Sequence, residues 1–425
     1  MKRGLWESVV RFSFALIVWL GTFVTLAIGQ SSTQAAEPLK IGFGMPLTGG
    51  LASGGKAALV TIKIWAADVN AKGGLLGRPV QLQYYDNQSD PATVPGIYTK
   101  LLDVDKVDLI ISGYGNSSIA PAMPIVIQRN LLFMSTLGTA VNDKYDYKRF
   151  FQAFPAGPSA RLALSQGFFE VAMSMNPKPK TVALVGADAD FSQTALDGAR
   201  ENAKKFGLRI VYDNTYPPKT AEFSPIVRAI QATNPDLVYV ASYPPDSVGM
   251  IRAVQEVGLK TSMFGGGMVG LQFGALKTQL GPLLNGVVAF DTYVPEPTMK
   301  FPGIEAFLKR YQEVANKEGV DPLGFYIPPY VYAEMQVLEQ ALNAVKSIDH
   351  DKLADYIRAT TFKTIVGDVK FGARGEWAES RILFVQYQNI AGNELDQFRQ
   401  PGKQVILTPA RFKSGELKYP YVGAN

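Results

Sequence analysis

The chain has 425 residues, a formal charge of +5 and no cysteine. The missing cysteines exclude a disulfide, a lipid-bearing cysteine, a thiolate nucleophile and any cysteine-based metal centre. Lysine and arginine are scattered without a basic stripe, so nucleic acid is not expected as a partner.

The chain opens on a leader pattern. Lys2, Arg3 and Arg11 flank the start of the uncharged run Phe12–Gly29, and Thr33-Gln34-Ala35-Ala36 supplies small residues at a cleavage point. This predicts an export signal over 1–36 and a periplasmic destination. A run of 18 uncharged residues is also close to the length that spans a bilayer, but the small residues directly after it favour cleavage over a permanent anchor. Removing Lys2, Arg3, Arg11 and Glu7 with the leader leaves a charge of +3. About 389 residues remain, too many for one small core and suited to two lobes.

Strands are predicted over Leu39–Met45, Val80–Tyr85, Leu109–Ser112 and Leu131–Ser135, with helices near 55–71, 91–104 and 118–130 between them. In the first helix Leu59, Ile62, Ala66 and Val69 share one face, and Gly73-Gly74 ends it. The pattern then repeats. Strands over Thr181–Val185, Ile210–Tyr212, Leu237–Ala241 and Met263–Phe264 alternate with helices near 192–206, 222–233 and 246–257. Phe223, Ile226, Val227 and Ile230 form a stripe at helical spacing. The alternation predicts an α/β chain of two doubly wound parallel-sheet lobes with right-handed crossovers. Phe154–Gly157 and Ala289–Thr292 are the expected crossing points between the lobes. Helical segments follow at Ile304–Asn316 and Val331–Val345, and 393–425 has no clear assignment. His350, the one histidine, is expected to be a solvated loop residue.

The helix ending in Asn70-Ala71-Lys72-Gly73-Gly74, then Gly77-Arg78-Pro79 and a strand ending at Asp86, resembles the periplasmic leucine/isoleucine/valine-binding family. Asp90-Pro91, the run Pro235–Val240 and Tyr332-Ala333 extend the resemblance over 37–390. It implies a type I periplasmic binding protein with three hinge crossovers, the third near Glu376–Arg381. Lobe 1 would comprise 37–156 plus 290–378, and lobe 2 would comprise 157–289 plus 379–425, with a strand over Leu383–Gln388. It further implies capture of a small-molecule ligand for an ABC permease, by a monomer with no cofactor, no metal and no catalysis.

Ligands of parallel sheets bind beyond the carboxyl ends of the strands. The Gly42–Gly50 loop has the wrong spacing for a dinucleotide motif. After the third strand comes Gly113-Tyr114-Gly115-Asn116-Ser117-Ser118, where Ser117 and Ser118 are helix caps or a carboxylate seat. The resemblance implies the seat. It also implies a second carboxylate-contacting turn over Ser135–Ala140, with Leu137, Gly138 and above all Thr139. Tyr243 and Phe191 follow strands of the second lobe and are candidate ligand walls, with Tyr114, Tyr293 and Tyr326 as further aromatics able to sandwich a ring.

Two departures from the family set the ligand expectation. Where amino-acid-binding members carry an acid to pair the ligand's ammonium, this chain reads Phe264-Gly265-Gly266-Gly267-Met268-Val269, placing Gly267 at that position. The first-loop aromatic is replaced by Ser53-Gly54-Gly55, which is expected to give the pocket more room. A buried ammonium without a partner is unfavourable by several kcal/mol. The expected ligand therefore bears a carboxylate but no ammonium, as an aromatic or branched organic acid does, unless Asp246 or Glu296 replaces the acid. Amides and urea are the alternative ligands, and a sensor of the same fold is the alternative role.

Overall fold

The computed structural model describes residues 36–422. The leader expected over 1–36 lies, apart from Ala36, outside the described residues. From Pro38 onward the chain forms one compact unit with two sheet systems.

In the first, β1 (Leu39–Met45) sits between β2 (Val80–Asp86) and β3 (Leu109–Ile110), all parallel. A bridge between Ile111 and Met134 carries the order on to β4 (Phe133–Ser135), which pairs in parallel with β5 (Phe150–Gln152). The helix Ala52–Ala71 covers this sheet and buries Leu59, Ile62, Trp65, Ala66 and Val69. Burial of a large side chain contributes about 1.5–3 kcal/mol. Asn70, at the end of that helix, accepts from the Val80 N–H at 2.6 Å and donates to the Val80 carbonyl at 2.9 Å. One amide thus sets where β2 begins, which gives the Asn70–Gly74 motif its physical meaning. Helices Ile304–Glu318 and Pro328–Val345 pack on the same helix, with Ile304, Phe307, Leu308 and Tyr311 buried.

The second system is a seven-stranded sheet. It comprises β6 (Thr181–Ala187), β7 (Arg209–Tyr216), β8 (Leu237–Ser242), β9 (Met263–Met268) and β10 (Val288–Asp291). Two later strands complete it, β13 (Leu383–Tyr387) and β14 (Gln404–Thr408), in the order β14-β13-β10-β9-β8-β6-β7. Of the predicted stripe at 223–230, Phe223, Val227 and Ile230 are buried and Ile226 is half-buried. The sheet is mixed rather than wholly parallel. β13 runs antiparallel to both β10 and β14. The unassigned 393–425 segment therefore supplies an edge strand. A small hairpin, β11 (Thr361–Thr364) with β12 (Gly367–Lys370), was also not predicted.

Three segments link the two sheet systems. The first and third are zipped together: Gln152 N–H donates to the Gly375 carbonyl at 2.8 Å, Trp377 Nε1 to the Gln152 carbonyl at 3.0 Å and Arg381 N–H to the Pro155 carbonyl at 2.8 Å. On the second, Tyr330 Oη donates to the Thr292 carbonyl at 2.8 Å.

Candidate ligand site

The carboxyl ends of β1, β3, β4, β6, β8 and β9 meet around one cavity of about 110 Å³. That is small beside the roughly 300–1,000 Å³ of typical ligand pockets. The first sheet system contributes Leu51 and Ser53 after β1, Tyr114 to Ser117 after β3, and Leu137 and Thr139 after β4. The second contributes Asp190, Phe191, Tyr243, Val269 and Phe273.

The polar corner is built by the loops after β3 and β4. The predicted single helix over 118–130 is broken by Pro121 and Pro124 into Asn116–Ile119, a tight 120–122 turn and Met123–Gln128. The Asn116 and Ser117 amides that open it have no intrahelical acceptor, whereas the Ser118 N–H donates to the Gly115 carbonyl at 2.9 Å. Asn116 ties the two loops: its Oδ1 accepts from the Thr139 N–H at 2.7 Å, and its Nδ2 donates to Thr139 Oγ1 at 3.1 Å. Ser117 Oγ is buried and has no hydrogen-bond partner, and Ser117 lines the cavity. A buried hydroxyl without a partner is costly unless something else completes it. Ser118 differs: its Oγ accepts from Asn87 Nδ2 at 2.8 Å and it lies outside the cavity wall.

The rest of the wall is aromatic. Tyr114 lies where a side chain at Gly54 would stand, since a Cβ there would be 2.3 Å from its ring. The space left by the missing first-loop aromatic is thus taken up by Tyr114, and the cavity gains no room from that loss. Burial pushes the Tyr114 phenol up to about 12 and holds that of Tyr326, its hydrogen-bonded neighbour, well above the usual value. Both are neutral donors at any physiological pH. Phe273 meets Tyr326 edge-on at 5.8 Å, and Phe191 meets Tyr243 edge-on at 6.0 Å. Tyr243 Oη accepts from the Phe191 N–H at 3.3 Å, which fixes the two rings together.

Of the residues singled out in the sequence, Tyr114, Asn116, Ser117, Leu137, Thr139, Phe191, Tyr243 and Tyr326 line the cavity; Ser118, Gly138, Gly267 and Tyr293 do not. Gly267 is not on a loop at all. β9 runs to Met268 and pairs Gly267 with Ala241 of β8. A Cβ on Gly267 would be 2.9 Å from Tyr239 Oη, and one on Gly266 would be 2.6 Å from the Tyr239 ring. The glycine run makes room for this buried tyrosine, whose hydroxyl donates to the Leu164 carbonyl at 2.9 Å. The cavity-lining segment begins directly after β9, at Val269. Asp246 is buried against Tyr216 Oη at 3.4 Å, and Glu296 accepts from the Gly402 N–H at 2.6 Å; neither lines the cavity. The carboxylate that does is Asp190, the first residue of the helix Asp190–Lys205.

Sequence reasoning did not select Asp190, Phe154, Val269 and Phe273. Asp190 directly precedes the selected Phe191, and that adjacency was the available signal. The others come from a crossing segment and a tight turn without a motif. His350 is also corrected: it is half-buried at the start of the helix His350–Ala359, and its Nδ1 accepts from the Leu132 N–H at 3.1 Å. Burial lowers its pKa. Among the described residues, no group of three or more acidic or histidine side chains is placed to hold a metal, and no helix is long and apolar enough to cross a membrane.

Comparison with known proteins places this architecture. The family profile described as "Periplasmic binding protein" matches residues 38–393. The Leu/Ile/Val-binding protein homolog 2 of Brucella abortus is 24% identical over 385 residues, covering 90% of this chain and 99% of that protein. A Streptococcus pneumoniae branched-chain amino acid transporter substrate-binding protein, solved with isoleucine, superposes with a TM-score of 0.70 at 17% identity, covering 88% of this chain and all of that one. A Rhodopseudomonas palustris solute-binding protein in complex with benzoate also superposes with a TM-score of 0.70 at 17% identity, covering 91% and 99%. The chain belongs to the periplasmic binding protein family.

Proposed function

We propose that this protein captures a small carboxylic acid lacking an ammonium group, an aromatic acid above all, and delivers it to an ABC permease. The observation that carries this reading is the unpartnered, buried Ser117 Oγ in the cavity's polar corner. A ligand carboxylate there would accept from the Ser117 hydroxyl and from the Asn116 and Ser117 amides, a charge-assisted arrangement. The tyrosine and phenylalanine rings opposite suit a flat apolar body, and the small volume suits a single ring. The benzoate complex of the Rhodopseudomonas relative shows this fold accommodating such a ligand. Closure of the two lobes would be favoured only by contacts made to ligand in the closed state. Ligand-binding roles for Tyr114, Asn116, Leu137, Thr139, Phe191, Tyr243 and Tyr326 belong to the same proposal, as do the lobe limits 37–156 plus 290–378 and 157–289 plus 379–425.

A second reading has one observation in its favour. Asp190 on the cavity wall could pair an ammonium, which would suit a branched-chain amino acid. A thermal-shift panel separates the two. A ligand at 100 times its Kd adds about 2.7 kcal/mol. Benzoate and short branched acids are expected to raise the melting temperature, and leucine, isoleucine, acetamide and urea are not. Stabilisation by leucine or isoleucine that disappears in Asp190→Asn would replace the first reading with the second.

A further inference from the structure

The turn that faces the ligand after β4 holds a backbone its own residues disfavour. Leu137 has φ of 56° and Ala140 of 51°, left-handed values that residues with a side chain keep only when their surroundings enforce them. Thr136 supplies much of that enforcement. Its N–H donates to Ser112 Oγ at 2.7 Å, its carbonyl accepts from the Gly115 N–H at 3.3 Å, and its Oγ1 donates to Glu334 Oε2 at 3.0 Å. Through Gly115 it also reaches the loop that carries Asn116 and Ser117.

Glu334 comes from the helix Pro328–Val345 and is 3% exposed. Its Oε1 has no hydrogen-bond partner, and it takes part in none of the ion pairs among the described residues. The groups facing it are the Thr136 hydroxyl and, from the helix Val94–Asp103, the buried phenol of Tyr98. No cation compensates it. Burial pushes its carboxyl up to about 8, so the folded chain carries it neutral at pH 7 and loses that proton as the pH rises past 8.

We propose that Glu334 is a positioning residue for capture: its carboxyl accepts from Thr136, and so sets Leu137 and Thr139 against the ligand, while lying outside the cavity wall itself. Deleting it leaves the buried Thr136 hydroxyl without its acceptor and loosens the turn. The proposal rests on the cavity being the ligand site, and its test is independent of which ligand binds.

The test is hydrogen exchange on the full chain at pH 7, comparing the 133–142 segment with β1. Thr136→Val is expected to lower protection of 133–142 relative to β1 about tenfold, as for loss of one buried hydrogen bond. Glu334→Ala should do the same, whereas Glu334→Gln, whose amide oxygen still accepts from Thr136, should keep the protection of the unmodified chain. If Glu334→Ala does not fold, Thr136→Val and Glu334→Gln still decide. Protection in Thr136→Val equal to that of the unmodified chain, or protection in Glu334→Gln as low as in Thr136→Val, would overturn the proposal. A benzoate titration on the same samples tests the functional reading separately: failure to bind benzoate counts against the aromatic-acid ligand and leaves the exchange result standing.

Discussion

Ser117→Ala is expected to weaken ligand affinity by about 10- to 100-fold while leaving the ligand-free protein as stable as before. The two halves of this expectation have one cause. Ser117 Oγ has no partner within the protein, so its removal costs the fold no hydrogen bond and stability should change by less than about 0.5 kcal/mol. In the complex the same hydroxyl would donate to a carboxylate, and a hydrogen bond to a charged group is worth about 1.5–3 kcal/mol, where each 1.4 kcal/mol is a factor of ten. The neighbouring Ser118→Ala should behave in the opposite way. It would strip the buried Asn87 Nδ2 of its partner at 2.8 Å, costing about 1–3 kcal/mol of stability with a smaller effect on affinity. Denaturant unfolding and calorimetric titration of both variants check the pair. A Ser117→Ala protein with unchanged affinity would remove Ser117 from the site.

Gly267→Asp, which restores the family's acid by sequence position, is expected to destabilise the fold without creating an amino-acid site. A Cβ at 267 would be 2.9 Å from Tyr239 Oη, and Tyr239 is fully buried with its hydroxyl already committed to Leu164. The new carboxylate would enter that packed interior with no cation beside it. An uncompensated buried charge costs on the order of 3–5 kcal/mol. Gly267→Ala isolates the steric part and should cost about 1–3 kcal/mol, the range for overpacking. A shifted unfolding midpoint with no gain of leucine affinity is the expected outcome. A stable Gly267→Asp protein that binds leucine would show that this position faces the ligand after all.

These two positions show where the sequence was informative. The helix Ala52–Ala71, its glycine stop and the strand after it were legible because the amphipathic period, the left-handed glycines and the Asn70 amide all act locally. The loops after β3 and β4 were legible because the ends of parallel strands are where such folds bind ligands. Gly267 misled because the glycine run looks like a loop. Three glycines can also be a strand pressed against a large ring, and the ring, Tyr239, lies some 26 residues earlier in the chain. Glu334 likewise gave no local signal: it sits in an ordinary helical stretch, and its significance depends on Thr136, 198 residues away. The mixed edge at β13 and β14 also escaped, because antiparallel pairing there depends on how the chain re-enters the sheet and not on a periodic pattern.

The proposed ligand is seated by its carboxylate, and Asp190 on the cavity wall is not called on to pair an ammonium. Leucine and 4-methylpentanoate, which share the carboxylate and the branched chain and differ in the amine, test this most directly. Calorimetric titration of the mature chain with each should show the amine-free acid binding more tightly by about tenfold or more, as expected when an unpaired ammonium must be desolvated. Tighter binding of leucine would contradict the account and make Asp190 the ammonium partner.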